Sequence, residues 1–119
     1  MDIEKVRKYC LKMKAVTESF PFNEETLVFK VTGKMFCLTN LNRPPSINLK
    51  CDPELAVELR EKYNAVTPGY HMNKTLWNTV LLDGSIADRE ILQWIEHSYN
   101  LVVHGLPQKI KKAILNFGC

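Results

Sequence analysis

The densest group of side chains that could bind a ligand lies between positions 68 and 78 of this 119-residue chain. Aromatic rings, amides, an imidazole and an amine alternate there, in the order Tyr70, His71, Asn73, Lys74, Trp77 and Asn78. Rings of this kind can stack on bases, amides can hydrogen-bond to base edges, and a lysine can neutralise a phosphate. The alternative is a structural loop in which Tyr70 and Trp77 pack into the core. Periodicity alone does not choose between the two.

No other pattern in the sequence predicts catalysis, a cofactor or a metal ion. The phosphate-binding glycine motifs and the catalytic motifs GxSxG and HExxH do not occur. His97 and His104 are seven residues apart on a predicted helix, about 10 Å along its axis, which is too far to share one metal ion without a third ligand. None of the cysteines has CxxC spacing, namely Cys10, Cys37, Cys51 and Cys119. We therefore predict a protein that is not an enzyme and has no catalytic, cofactor-binding or metal-binding residues.

The charge of the chain favours polyanions only weakly. Sixteen Lys and Arg residues against thirteen Asp and Glu residues give a net charge of +3 and a pI near 8.7. The charge is uneven, because positions 105–119 contain three lysines and no acidic residue, while positions 83–104 are acidic. A dipolar surface of this kind attracts a polyanion to one side. The alternative is that these lysines are simply the solvated faces of helices.

The sequence predicts a location in the cytoplasm and no contact with a membrane. Charged residues begin at position 2, so the amino terminus does not resemble a signal peptide. No run of about 18 apolar residues is present to span a bilayer. In the cytoplasm the cysteines would stay reduced.

The binding segment must be positioned by a mixture of helices and strands. The apolar stripe Ile3, Val6, Cys10 and Met13 predicts a first helix, which the segment 19–23 should break. Three strands should follow at 27–31, 35–39 and 47–51, the first two joined by a tight turn at Gly33.

The second half of the chain predicts three more helices and one clear strand. Asp52 followed by Pro53 is typical of a helix start. A strand should cover 76–82, and Ser85 should cap a third helix that ends at Gly105. A short last helix should cover 108–117. The order predicts an α+β fold: a single domain over 1–119, α-β3-α-β2-α, with a mostly antiparallel sheet packed against helices.

Three segments carry a resemblance to a known family. They are TESFPF at 17–22, GYHMNKTLWNTVLLDGSI at 69–86 and HGLPQKIKK at 104–112. Together they resemble the MmcQ/YjbR family of small bacterial proteins, from about position 3 to position 112. The resemblance implies a fold similar to that of secretion chaperones, and it implies DNA binding through two β-hairpin "wings".

The resemblance assigns the two wings to particular residues. The first wing is the hairpin at Gly33, and the second is the loop 71–74 with the strand that follows it. Lys50 lies on the polar face of a neighbouring strand. The predicted DNA contacts are Lys30, Lys34, Lys50, His71, Asn73, Lys74, Trp77 and Asn78.

A second hypothesis is a protein-interaction or chaperone-like adaptor module. The likeness to secretion chaperones implies an exposed sheet face that holds a partner peptide or a second copy of the domain as a homodimer. An exposed apolar patch that includes Met35, Cys37 and Trp77 would favour a protein partner over DNA.

Overall fold

A computed structural model describes residues 1–42, 44–69 and 72–116, with only the backbone described for 115 and 116. The helices in this part of the chain are α1 (Ile3–Lys12), α2 (Pro53–Lys62), α3 (Asp88–His104) and α4 (Gln108–Asn116). The strands are β1 (Val16–Ser19), β2 (Thr26–Val31), β3 (Lys34–Asn40), β4 (Ser46–Lys50), β5 (Val66–Pro68) and β6 (Trp77–Leu81). The described helices include none that is long and apolar enough to cross a bilayer.

The six strands form one antiparallel sheet in the order β1-β2-β3-β4-β6-β5. The hairpin between β2 and β3 turns at Thr32 and Gly33, which have φ values of 47° and 83°. Two consecutive residues with positive φ are typical of the type I′ turn, whose twist matches that of the strands it joins. The predicted α+β fold with a mostly antiparallel sheet is confirmed.

One face of the sheet carries the helices and the main core. Residues from all four helices join a single buried cluster with the strand residues that point the same way. Its largest fully buried side chains are Phe29, Phe36, Ile47, Ile91 and Ile95. We call this side of the sheet the helix face and the opposite side the open face.

Local signals at the helix ends were read correctly in two cases and wrongly in one. The Asp52 carboxylate accepts hydrogen bonds from the first amides of α2, and Gly105 ends α3. Ser85 is not a helix cap, because it bonds to Asp83 two residues earlier. Helix α3 begins later, after Ala87, which makes no side-chain capping bond.

Edge strand β1 was not predicted, and β5, the second of the two strands expected between α2 and α3, was not placed. Strand β1 lies where the first helix was expected to continue, and Arg7 of α1 holds it by two bonds of 2.8 Å to the Glu18 carboxylate. Strand β5 lies where a turn was expected, and Pro68 is tolerated there because β5 is at the edge of the sheet. Both strands are short, and tertiary pairing decides their conformation.

Candidate nucleic-acid interface

The open face has a small apolar centre of its own. Val28, Leu38 and Trp77 form a second buried cluster, separate from the main core. Three partly buried side chains pack against it, namely Met35, Met72 and Leu76. No helix covers this cluster in the described part of the chain, so its upper surface faces solvent and anything that binds there.

A groove of about 620 Å³ runs over this apolar centre. Phe22 and Asn23, from the β1–β2 connection, line one side, and Met72 and Asn73, from the segment before β6, line another. The other lining residues are Thr26, Met35, Leu38, Thr39, Asn40 and Asn48. None of the lining residues that the structure describes is charged, and the groove is of ligand-binding size.

Four asparagines line the groove, and each uses its side-chain oxygen within the protein. Asn23, Asn40 and Asn73 accept backbone N–H groups two or three residues further along the chain. The donors are Glu25, Asn42, Thr75 and Leu76, at 2.9 to 3.3 Å. The fourth, Asn48, accepts from the hydroxyl of Thr79 across the β4–β6 pair.

These bonds determine what the asparagines offer to a ligand. A backbone N–H can bond only to the oxygen of an amide, so the Nδ2 group of each capping asparagine is identified by elimination. An amide oxygen can accept two hydrogen bonds, so the groove presents both amide donors and amide acceptors to a ligand.

The structure brings three of the predicted DNA contacts together at one end of the groove. Lys30 is the cross-strand partner of Met35 in the β2–β3 pair. Lys34 and Lys50 line, with Met35, a second depression of about 280 Å³ beside the end of α3. Met35 lines both depressions, so the neutral groove leads directly to this group of lysines, which we call the lysine end.

Two residues of the second predicted wing are buried and not exposed to DNA. Trp77 is only 9% exposed, and its ring belongs to the floor cluster. Asn78 is 2% exposed on the helix face, where it accepts from Arg60 Nε at 2.7 Å and donates to the Ala56 carbonyl. Both side chains support the sheet, so their assignment as direct DNA contacts is corrected. Lys74 is exposed and follows Asn73, which lines the groove.

Two other predicted positions need separate comment. His71 lies outside the described residues. Cys37, expected in an exposed apolar patch, is fully buried on the helix face next to Cys10. Burial, and after it the contact with Cys10, raises the pKa of the Cys37 thiol well above its usual value. The apolar lining of the open face comes instead from Met35, Met72 and Phe22.

Sequence reasoning missed Phe22 and Arg60. Phe22 is 63% exposed and lines the groove, although its segment predicted only a helix break. An aromatic residue on each side of a proline in a polar loop was the available signal. The Arg60 guanidinium reaches from α2 to the carbonyls of Lys74 and Trp77 and holds the segment that carries Asn73. Nothing local distinguishes Arg60 from a solvated helix residue, because its partners are 14 to 18 positions away.

The described residues include no group of three or more His, Cys, Asp or Glu side chains placed to hold a metal ion. Among its described residues, the groove lining likewise contains no carboxylate, imidazole or thiol. The chemistry that it displays is hydrogen-bond donation and acceptance, apolar contact and, at the lysine end, positive charge.

Comparison with known proteins places this arrangement in a family. The family model described as YjbR matches residues 11–101. The chain belongs to the YjbR family. It is 37% identical over 112 residues to the uncharacterized protein YbdF of Escherichia coli O157:H7, covering 93% of this chain and 92% of that one. It is 32% identical over 116 residues to the uncharacterized protein YjbR of Escherichia coli strain K12, covering 97% and 98%.

Solved structures agree with the YjbR-family assignment. The crystal structure of Deinococcus radiodurans protein DR2400 is similar with a TM-score of 0.89 and 36% identity, over 94% of this chain and 86% of that one. A crystal structure of a Pseudomonas syringae protein is similar with a TM-score of 0.75 and 31% identity, over 85% and 98%. The order of helices and strands described above is therefore shared within the YjbR family.

Proposed function

We propose that this YjbR-family protein is a non-enzymatic DNA-binding protein that takes DNA on the open face of its sheet. The observation that carries the proposal is the lysine end, where Lys30 pairs with Met35 and Lys34 and Lys50 line a depression with it, next to the groove. The lysines would hold phosphates, and the amides would donate to oxygen and nitrogen acceptors of the bases.

The charges on the two sides of the groove differ in sign, which favours phosphate contacts on one side. Glu24 and Glu25 follow Asn23 on the β1–β2 connection, and Glu25 accepts from the Nδ2 group of Asn42 at 2.8 Å. These carboxylates repel phosphates from their side of the groove, while the lysine end attracts them. The strongest phosphate contacts are therefore expected around Met35.

A polypeptide partner or a second copy of the chain is the second candidate. Phe20 and Phe22 are 50% and 63% exposed, which favours apolar contact with a protein. The backbone of an extended peptide, however, carries no net charge and gains nothing from the lysine end. A DNA strand carries negative charge, so it matches the lysine end.

The proposal is tested by fluorescence anisotropy with labelled single-stranded and duplex DNA, titrated from ~50 mM to physiological salt. Three phosphate contacts predict a plot of log affinity against log salt with a slope of about −2 to −3. The double variant Lys30→Glu/Lys34→Glu is expected to lower affinity at least ~tenfold at low salt and to flatten the slope by about 2.

A matched control changes the same charge on the other side of the molecule. Lys8→Glu/Lys112→Glu alters exposed lysines of α1 and α4, away from the open face. It should leave affinity within about twofold of the unmodified protein. If the two double variants weaken binding equally, the lysine end is not the DNA site. If no DNA form binds at ~50 mM salt, DNA is not the ligand and the polypeptide partner takes its place.

A further inference from the structure

We propose that two copies of this chain pair through their open faces, head to tail, in a reversible homodimer that covers the groove. The pairing stands without the proposed function, whereas one consequence of it, competition with DNA, rests on that function. Three features of the open face lead to the proposal. They are opposite charges at the two ends of β2, an apolar centre between these ends, and a limited area.

The open face carries opposite charges at the two ends of strand β2. Glu24 and Glu25 are exposed and directly precede this strand, and we call them the acid end. Lys30 lies near the other end of β2, and Lys34 follows the turn into β3. Because a strand advances about 3.3 Å per residue, about 17 Å separates the backbone of Glu25 from that of Lys30. The open face therefore has a charge dipole that runs along β2.

The charges at both ends are available to another molecule. Within the described part of the chain, no group forms an ion pair with the acid end or with Lys30 and Lys34. Glu25 accepts a hydrogen bond from Asn42 Nδ2 at 2.8 Å. An amide is neutral, so this bond leaves the negative charge of Glu25 in place.

A two-fold axis brings the opposite ends of two copies together. In a symmetric dimer both chains use the same surface, and sheets that stack face to face have the axis between them and parallel to them. An axis perpendicular to β2 reverses the strand direction of the second copy, so each acid end lies over the lysine end of the other chain. An axis parallel to β2 would instead place like charges together. Charge therefore selects the head-to-tail arrangement.

The apolar side chains of the open face fit the same axis. Val28 and Leu38 are cross-strand partners in the middle of β2 and β3, between the two charged ends. The axis stacks this centre on its own copy. Phe22 lies towards the acid end and Met35 towards the lysine end, so the axis directs each Phe22 ring to Met35 of the second copy. A thioether beside an aromatic ring is a favourable contact, and Phe22 is 63% exposed in the single chain.

The area of the open face makes the dimer weak and reversible. Six strands about 4.8 Å apart, the longest of them near 20 Å, present about 400 Å² in each copy. A stable interface buries about 800 Å² in each partner. We therefore expect a dissociation constant in the micromolar range or above. A polyanion that binds the lysine end can then displace the second copy.

Sedimentation velocity from ~10 µM to ~1 mM protein at ~50 mM salt tests the pairing. The unmodified protein should change from monomer towards dimer over this range. The lysine-end variant Lys30→Glu/Lys34→Glu and the acid-end variant Glu24→Lys/Glu25→Lys should each weaken self-association at least ~tenfold, because each places like charges opposite one another. An equimolar mixture of the two variants should recover the dimer, because both contacts then join opposite charges.

A matched control separates the position of the charges from the net charge. Lys8→Glu/Lys112→Glu lies away from the open face and lowers the net charge as much as the lysine-end variant does. Alone, it should dimerise within about twofold of the unmodified protein. Mixed with the acid-end variant, it should not recover the dimer, because one of the two contacts still places lysine against lysine.

The competition with DNA is measured separately. The acid-end variant should stay monomeric and bind labelled DNA at least as tightly as the unmodified protein does, because it removes a repulsion and keeps the lysines. DNA at a concentration that saturates the unmodified protein should dissociate its dimer.

Each outcome either supports or overturns a part of the proposal. A dimer that each variant loses and that their mixture recovers supports the pairing. A monomer at every concentration, a dimer that either variant retains, or a mixture that stays monomeric overturns it. A dimer that stays intact when saturated with DNA overturns the competition. A dimer in a protein that binds no DNA overturns the proposed function and leaves the pairing in place.

Discussion

The two faces of this sheet are built from the same strands but treat polar groups in opposite ways. On the helix face, the buried Asn78 and Ser98 bond to other parts of the protein. On the open face, Asn23, Asn40 and Asn73 accept backbone N–H groups of their own loops, and their side chains remain exposed. The comparison teaches that folding encloses the polar groups of one face, whereas those of the other stay accessible to a ligand.

The largest expected difference between the faces comes from two phenylalanines. Phe36→Ala on the helix face should reduce the free energy of unfolding by about 3–5 kcal/mol, because it removes a fully buried ring from the main core. Phe22→Ala should change it by less than about 0.5 kcal/mol, since this ring is exposed. Urea unfolding measures both values.

In DNA binding, Phe22→Ala should have a larger effect than Phe36→Ala, the reverse of their order in stability. Phe22→Ala should weaken binding of single-stranded DNA by about 1–3 kcal/mol through loss of a stacked base. A Phe22→Ala protein with full affinity would show that no base stacks at this position, whatever its stability.

A smaller effect is expected from two glycines, one beneath the groove wall and one at a helix end. A Cβ on Gly69 would lie 2.8 Å from Trp77 Cβ and 3.0 Å from its carbonyl oxygen, so the segment leading to Met72 must shift. Gly69→Ala should therefore cost about 1–3 kcal/mol of stability and distort the groove. Gly105→Ala is the control, because the nearest atoms to an added Cβ, the carbonyl oxygens of Val102 and Leu101, are 3.5 Å and 3.7 Å away and the φ of Gly105 is −82°.

Thermal unfolding and binding of single-stranded DNA should be measured together for both glycine variants. If Gly69→Ala melts and binds like Gly105→Ala, the segment before β6 has room to move and does not form a fixed wall.

The smallest expected effect concerns alkaline pH and belongs to the helix face alone. Burial raises the pKa of Cys51 to about 11 from a usual value near 9.0. Between these two pH values the thiol of the unfolded chain loses its proton while that of the folded chain keeps it, so stability should fall as pH rises from about 9 to 11.

The urea midpoint measured at pH 8, 9, 10 and 11 checks this prediction, with Cys51→Ala as the comparison. The variant should show a shallower decline over the same interval. Identical curves would mean that the Cys51 thiol titrates alike in both states.

Local chemistry decided what the sequence could predict. Asp52 and Gly33 act through their immediate neighbours, so the start of α2 and the β2–β3 turn followed from sequence alone. The burial of Trp77 depends on residues of β2 and β3 about 40 to 50 positions earlier in the chain. The sequence around Trp77 therefore does not indicate it.

The candidate site was predictable in its lysines and less so in its polar lining. Alternation correctly placed Asn48 and Leu49 of β4 on opposite faces, because that strand is regular. The groove itself depends on Arg60, which holds the segment bearing Asn73 from a helix that precedes it. A contact between distant elements of this kind leaves no periodic trace in the sequence.

A single hydroxyl group on α3 stands between two strands of the sheet. Ser98 Oγ accepts from the backbone N–H of Lys50 at 2.9 Å and donates to the Phe36 carbonyl at 2.6 Å, where the next rung between β3 and β4 would otherwise form. The separation of β3 and β4 beside Lys50 therefore depends on where α3 sits, so a change in the helix layer would be transmitted through the sheet to the open face.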